Sequence, residues 1–154
     1  MKTLLASLIY CWCASEIFAT EAWKPHDRFL DAVCQVESSG GVLTSGDRGM
    51  SLGHFQIQKG AWMDVSEWRK RRNLPVHKYQ QNVLNPEISR TYASNYLTIL
   101  YGQLRQEYKR EPTPPEIYAA YNMGLTNFRR CNFNLSKVNS ITEEKCKQVA
   151  ALME

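Results

Sequence analysis

Apolar residues along this chain recur at three- and four-residue spacing in successive stretches, the mark of helices that each bury one face. Phe29, Val33, Val36 and Glu37 share one such face, and Leu30 and Cys34 adjoin it, so the spacing predicts a helix over residues 25–38 with Glu37 turned inward in its last turn. Pro25 suits a first turn, Asp27 favours the positive end, and Ser38, Ser39, Gly40 and Gly41 supply the stop. Trp62, Val65 and Trp68 predict a second amphipathic helix whose solvated end is Arg69-Lys70-Arg71-Arg72. Behind Asn85-Pro86, the residues Ile88, Tyr92, Tyr96, Ile99 and Gln103 predict a long central helix to about Lys109. Thr113-Pro114-Pro115-Glu116 reads as a capping box for a helix through Tyr118 and Tyr121 that stops at Gly124. Ser140 to Glu143 repeats that signal ahead of Cys146, Val149, Ala150 and Met153.

Residues 41–58 break the helical period and carry Gly46, Gly49 and Gly53, which predicts an ordered loop or a small hairpin with short strands at most. No internal repeat or low-complexity linker divides the chain. The expected fold class is therefore mainly α, one domain with a long central helix and at most a small β-hairpin.

Lys2, an apolar run over residues 4–14 and the end Ile17-Phe18-Ala19 read as a secretory signal over residues 1–19, with Ala22 as a second cleavage point. The run is short for a bilayer span. Tyr10 before Cys11 and Trp12 before Cys13 do not suit lipid attachment, so no stable membrane anchor is expected. The domain would cover residues 20–154 and be exported, periplasmic or extracellular. Removing the leader takes Lys2 and Glu16, one charge of each sign, and leaves the formal charge at +4. A basic exported protein suits an anionic cell wall. The Arg69–Arg72 run, lying at the end of an amphipathic pattern, gives no reason to expect a nucleic acid partner.

Glu37 carries the candidate chemistry. At the end of its helix, both partial burial and the negative end of the helix dipole disfavour a carboxylate, which suits a proton donor. Glu37-Ser38, then Ser51-Leu52-Gly53-His54-Phe55-Gln56-Ile57, then Ala120-Tyr121-Asn122-Met123-Gly124 resemble, in order, three signatures of the lysozyme-like superfamily of soluble lytic transglycosylases and goose-type lysozymes. The resemblance runs from roughly Phe29 to Arg130. It implies a lysozyme-like domain with the hairpin beside an active-site cleft, peptidoglycan glycan strands as partner, and Glu37 as the single acid and base on the glycosidic oxygen. It further implies that Ser38 orients a sugar or Glu37, that Gly53 permits close approach by substrate or helix, that Gln56 lines the cleft, and that Tyr121 and Asn122 flank the glutamate and hold the transition state. Met123 stands where the family commonly has a small residue, and Leu52-Gly53-His54 departs from the family's usual wording.

The resemblance implies lytic transglycosylation: the bond between N-acetylmuramic acid and N-acetylglucosamine is cut and the muramyl 6-hydroxyl closes a 1,6-anhydro ring, which one glutamate can serve in both halves. Hydrolysis by a lysozyme is the alternative, and Asp47 is then the candidate second carboxylate, although a turn aspartate beside Gly46 is its simpler reading. Cys34 to Ser38 and Ser51 to Ile57 also resemble invertebrate-type lysozymes, whose cysteine framework this chain lacks.

Two further readings compete with these. Cys34 with His54 or His77 would make a cysteine peptidase, but Cys34 lies toward the wrong end of its helix for a stabilised thiolate. A glycan-binding domain without activity would use Tyr92, Tyr96, Tyr101, Tyr118 and Tyr121 for stacking. His26, His54 and His77 are scattered without ligand spacing, so no metal and no cofactor are expected. Of five cysteines, Cys34, Cys131 and Cys146 remain after the leader; Cys131 with Cys146 is the favoured pair and Cys34 a buried thiol, other pairings staying open.

Overall fold

The computed structural model describes residues 23–43, 45, 46 and 49–154; the expected leader and Asp47 lie outside the described residues. The first helix, α1 (Asp27–Ser38), starts two residues later than Pro25 because His26 is its N-cap, the ring Nδ1 accepting from the Arg28 N–H. Its end is a left-handed Ser39 (φ 53°), with the Ser39 and Gly40 amides donating back to Gln35 and Cys34 carbonyls. Three two-residue strands follow: β1 (Ser45–Gly46), β2 (Ser51–Leu52) and β3 (Ile57–Gln58). They pair antiparallel in the order β1-β2-β3, with Ser45 opposite Leu52 and Leu52 opposite Ile57, so the sheet is one strand larger than a single hairpin.

The helices α2 (Lys59–Lys70), α4 (Pro86–Tyr108), α5 (Pro114–Met123) and α7 (Ser140–Met153) stand where the apolar spacing predicts them. Two short helices, α3 (Tyr79–Asn82) and α6 (Leu125–Arg130), were not predicted. Asn85 caps α4 by accepting from the Glu87 and Ile88 amides, and Pro86 takes the first helical position, where no N–H is needed. The cap of α7 is Asn139 rather than Ser140: its Oδ1 accepts the Thr142 amide at 2.9 Å. Its side-chain amide also donates to the Thr142 hydroxyl at 3.0 Å, a second tie across the same turn.

The core centres on α4, where Tyr92, Ala93, Leu97, Leu100 and Leu104 are buried. Trp62 of α2 stacks on Tyr92 with ring centroids 3.7 Å apart, fixing α2 against α4. α7 packs on both α1 and α5. One residue of the predicted solvated run departs from expectation. Arg69 is buried: it donates to the Pro75 carbonyl at 2.7 Å and to Asn95 Oδ1 at 2.5 Å, and it lies over the Tyr92 ring. Lys70, Arg71 and Arg72 remain exposed. Cys131 and Cys146 are not joined, and all three described cysteines are free thiols. The register of α7 turns Cys146 into the core, where its thiol faces the Pro115 carbonyl of α5, whereas Cys131 follows α6 toward the groove described below. Among the described residues no helix is long and apolar enough to cross a membrane.

The capping box of α5 is closed by a charge. Glu116 Oε2 accepts from the Thr113 amide and hydroxyl, and the Arg110 guanidinium grips both carboxylate oxygens at 2.6 and 3.0 Å. Burial alone would raise this carboxyl, but the Arg110 and Thr113 donors outweigh it and hold it below the usual range. A depressed folded value stabilises the fold above the unfolded value of about 4.3 and is lost as pH falls through the lower folded one. Glu116→Ala is therefore expected to cost about 1–3 kcal/mol at neutral pH. Thermal unfolding should show its gap from wild type narrowing below about pH 4.

Candidate active site

Each wall of the groove comes from a different part of the chain. The end of α1 gives Glu37, the sheet gives Gly46, Ser51, Ile57 and Gln58, the turn between β2 and β3 gives Gln56, the end of α5 gives Tyr121, Asn122 and Met123, and α7 gives Ile141, Thr142 and Lys145. The groove encloses about 860 Å³. Its polar lining is mostly amide and hydroxyl: Gln56, Gln58, Asn122, Asn127, Asn139, Ser51 and Thr142. Neutral donors and acceptors of this kind match hydroxyl- and acetamide-rich ligands. Tyr96 and Tyr121, rings 5.5 Å apart, add aromatic surface on the same lining.

Glu37 is the one carboxylate among the described lining residues, and its side chain is only 6 % exposed. An unpaired charge at that depth would be costly. Three donors surround it. Tyr118 Oη donates to Oε1 at 2.6 Å, Asn122 Nδ2 donates to Oε1 at 3.2 Å, and Lys145 Nζ donates to Oε2 at 3.1 Å. Tyr118 is fully buried; burial first, and then the adjacent Glu37 charge, push its phenol far above the ordinary range, so it stays a donor.

The orientation of Asn122 follows from proton counting along its neighbours. Thr142 Oγ1 accepts from Asn139 Nδ2 at 3.0 Å, so its single proton goes to Asn122 Oδ1 at 2.8 Å. Asn122 is then left with its NH2 toward Glu37. The cap of α7 thus fixes a donor on α5.

The remaining sequence candidates divide into lining groups and internal ties. Gln56 lines the groove, and its Nε2 also bridges the Leu43 and Gly53 carbonyls at 3.1 and 2.8 Å, holding the loop between β2 and β3. Tyr121 lines the groove but donates to the Phe55 carbonyl at 2.6 Å; the tyrosine that touches Glu37 is Tyr118, one helical turn before Asn122. Ser38 is buried away from the groove, its hydroxyl shared between the Cys34 and His54 carbonyls while accepting the Gly41 amide at 2.8 Å. It acts on Glu37 by pinning the end of α1 to the sheet and makes no contact open to a sugar. Gly53 is likewise internal: with φ +77°, any Cβ there would lie 2.2 Å from the Val83 carbonyl oxygen. The close approach it permits is to backbone after α3, not to a ligand.

Among the described residues no hydrogen bond joins Cys34 to His54 or His77, as the cysteine–histidine alternative would need. Cys34 is half-buried with its sulfur 3.9 Å from Ser38 Oγ, and burial pushes its thiol up, against thiolate formation. The His54 ring lies against Gly41, and His77 is tied through its backbone to Trp62 and Tyr92. Among the described residues, no cluster of His, Cys, Asp and Glu side chains forms a metal site.

From sequence, Tyr118 was named only as a stacking ring of the glycan-binding alternative, not as a partner of Glu37, and Lys145 was not named. Tyr118 carried a usable signal, since residues four apart on a helix share a face and Asn122 was already assigned. Lys145 carried none, because only the docking of α7 brings it to Glu37.

Residues 15–141 match the family model described as Transglycosylase SLT domain. Nothing among curated proteins or among solved structures matches the chain.

Gly53→Ala is expected to destabilise the fold by about 2 kcal/mol or more, since it combines a left-handed backbone cost with a steric clash. Chemical denaturation of the variant against wild type measures this; an unchanged midpoint would mean that the loop shifts freely and does not anchor the groove.

Proposed function

Since the chain belongs to the transglycosylase SLT domain family, a family of peptidoglycan lytic transglycosylases, we propose that it cleaves the β-1,4 bond between N-acetylmuramic acid and N-acetylglucosamine, with Glu37 as both acid and base. The observation that carries this reading is the buried Glu37 carboxylate on the groove lining, held by donors from two helices.

In the first half, the Glu37 carboxyl gives its proton to the glycosidic oxygen as the bond to C1 breaks, and the leaving sugar departs as a neutral alcohol. The acetamido group of the muramyl residue is positioned by chemistry, next to C1, to share the positive charge that develops there. In the second half, the ionised Glu37 takes the proton of the muramyl 6-hydroxyl as that oxygen bonds to C1. Proton and charge return to the starting state without water. Tyr118 and Asn122 are fixed before substrate arrives, so they stabilise the carboxylate formed between the halves without reorganisation. Gln56, Gln58 and Asn127 supply amide contacts for the glycan, and Tyr96 and Tyr121 supply ring faces.

Hydrolysis with Asp47 as second carboxylate is the other reading, favoured by one observation: Gly46, the residue before it, lines the groove. The leader over residues 1–19 supports export to a compartment where peptidoglycan is present.

Mass spectrometry of soluble products from purified peptidoglycan separates the readings. Wild type is expected to release fragments ending in 1,6-anhydromuramic acid, and Glu37→Gln none. Reducing ends would instead indicate a lysozyme, and cleavage by the Glu37→Gln variant would remove Glu37 from the mechanism. Tyr118→Phe keeps the buried ring but removes one donor to the charge, a loss of about 1.5–3 kcal/mol. Turnover kinetics should show kcat falling about 10- to 100-fold with KM little changed.

A further inference from the structure

The two oxygens of the Glu37 carboxylate are held in different ways. Oε1 accepts from Tyr118 and Asn122, and neither donor has freedom to leave: Tyr118 is fully buried, and Asn122 is locked through Thr142 to Asn139. Oε2 accepts from Lys145 alone among the donors in contact with Glu37. That lysine lines the groove on a flexible four-carbon stem, with its side chain 28 % exposed. A carboxyl oxygen offers two lone-pair sites, and Oε1 has committed both. A proton bound for a sugar must therefore ride on Oε2, where it competes with the ammonium.

Building on the transglycosylase reading, we propose that Lys145 is a positioning residue for the acid: paired with Oε2 it aims the carboxylate, governs the pH range in which the site keeps its working proton, and yields Oε2 as the saccharide enters. Lys145 lies beyond residue 141, where the family match ends. The sugar's hydroxyl and acetamido oxygens offer the displaced ammonium new acceptors. In the first half the Oε2–H bond breaks, the proton goes to the glycosidic oxygen, and the electron pair of the C1–O bond leaves with that oxygen. The ammonium then swings back beside the ionised carboxylate and offsets its charge at a depth where water does so poorly. In the second half the 6-hydroxyl oxygen bonds to C1 and its proton returns to Oε2, so no co-reactant is consumed.

The charge surroundings make this testable. Facing Glu37 or its neighbours are Tyr118 and Tyr121 from α5, Tyr96 from α4 and Cys34 from α1, all pushed up by burial and neutral near pH 7. On α7, Glu143 is engaged by Lys147 at 2.8 Å, and the Cys146 thiol is pushed up to about 11 by burial. His54, from the loop after β2, turns its ring to Gly41. Lys145 is thus the cation in contact with Glu37 among the described residues.

The experiment measures initial rates of glycan release from peptidoglycan at limiting substrate, against pH, for wild type, Lys145→Met, Lys145→Gln, Lys145→Arg and Glu37→Gln. The ammonium in contact with Oε2 favours the ionised carboxylate, so removing it should move the alkaline limb of kcat/KM upward in both neutral variants. Lys145→Arg should keep the wild-type limb. Limb position does not depend on how much of a variant folds, so partial misfolding does not blur the result. If both neutral variants lose rate by one factor at every pH with the limb unmoved, Lys145 is only a packing residue and the proposal fails. If Glu37→Gln still cleaves, the transglycosylase reading fails and the proposal with it; an inactive Glu37→Gln with an unmoved limb overturns the Lys145 role alone.

Discussion

A carboxylate buried to 6 % exposure constrains everything packed around it. Taking such a charge out of water costs several kcal/mol unless donors replace the lost hydration, and a single helix cannot supply them from its own side chains at the required directions. Here they come from α5 and α7, helices that pack on each other and, through α7, on α1. The three-helix arrangement is thus coupled to the charge at its centre: shifting α7 would remove Lys145 directly and free Asn122 through Thr142. The polar contacts are fixed by the apolar ones, with Val33, Ile117, Cys146 and Val149 buried in the same core.

The sheet plays a different part. Its strands have two residues each, too few to be stable by pairing alone. Side chains complete what the ladder lacks. Ser38 ties α1 to the His54 carbonyl, Gln56 spans Leu43 and Gly53, Tyr121 reaches the Phe55 carbonyl and Tyr79 the Ile57 carbonyl. Several residues whose types suggest ligand contact are in this way committed to backbone. Polar side chains around a groove serve its walls before they serve its contents, since an unsatisfied buried carbonyl costs about as much as a lost hydrogen bond.

That division explains what could be read in the chain before its fold was known. The long helices were legible because each repeats an apolar face over several turns, and Glu37 was legible because it sits on such a face. α3 is too short to show a period, and α6 begins immediately after Gly124, whose φ of 81° ends one helix and starts the next. Arg69 was misread as solvated because a basic run carries no mark of which member turns inward; its place is set by the Pro75 carbonyl and Asn95, which are brought to it by tertiary packing. At the site, Gln56, Tyr121 and Asn122 do line the groove, while Ser38 and Gly53 are internal. Local pattern finds residues near a site but does not separate those facing it from those supporting it.

The asymmetry around Glu37 carries the argument one step further. A group that acts alone as acid and then base has opposite needs in the two halves: ease of losing a proton in one, stability of the charge in between. Fixed donors meet the second need but also work against the first. A mobile donor escapes that conflict, since it can stand beside the charge when the charge exists and leave when the proton must be held. Tyr118 and Asn122 act on one oxygen from buried or locked positions; Lys145, partly exposed at the groove, acts on the other and takes the mobile part in the proposed reaction. In the proposed reaction, dividing the donors between the two oxygens keeps Oε1 as the anchor and leaves Oε2 for proton transfer.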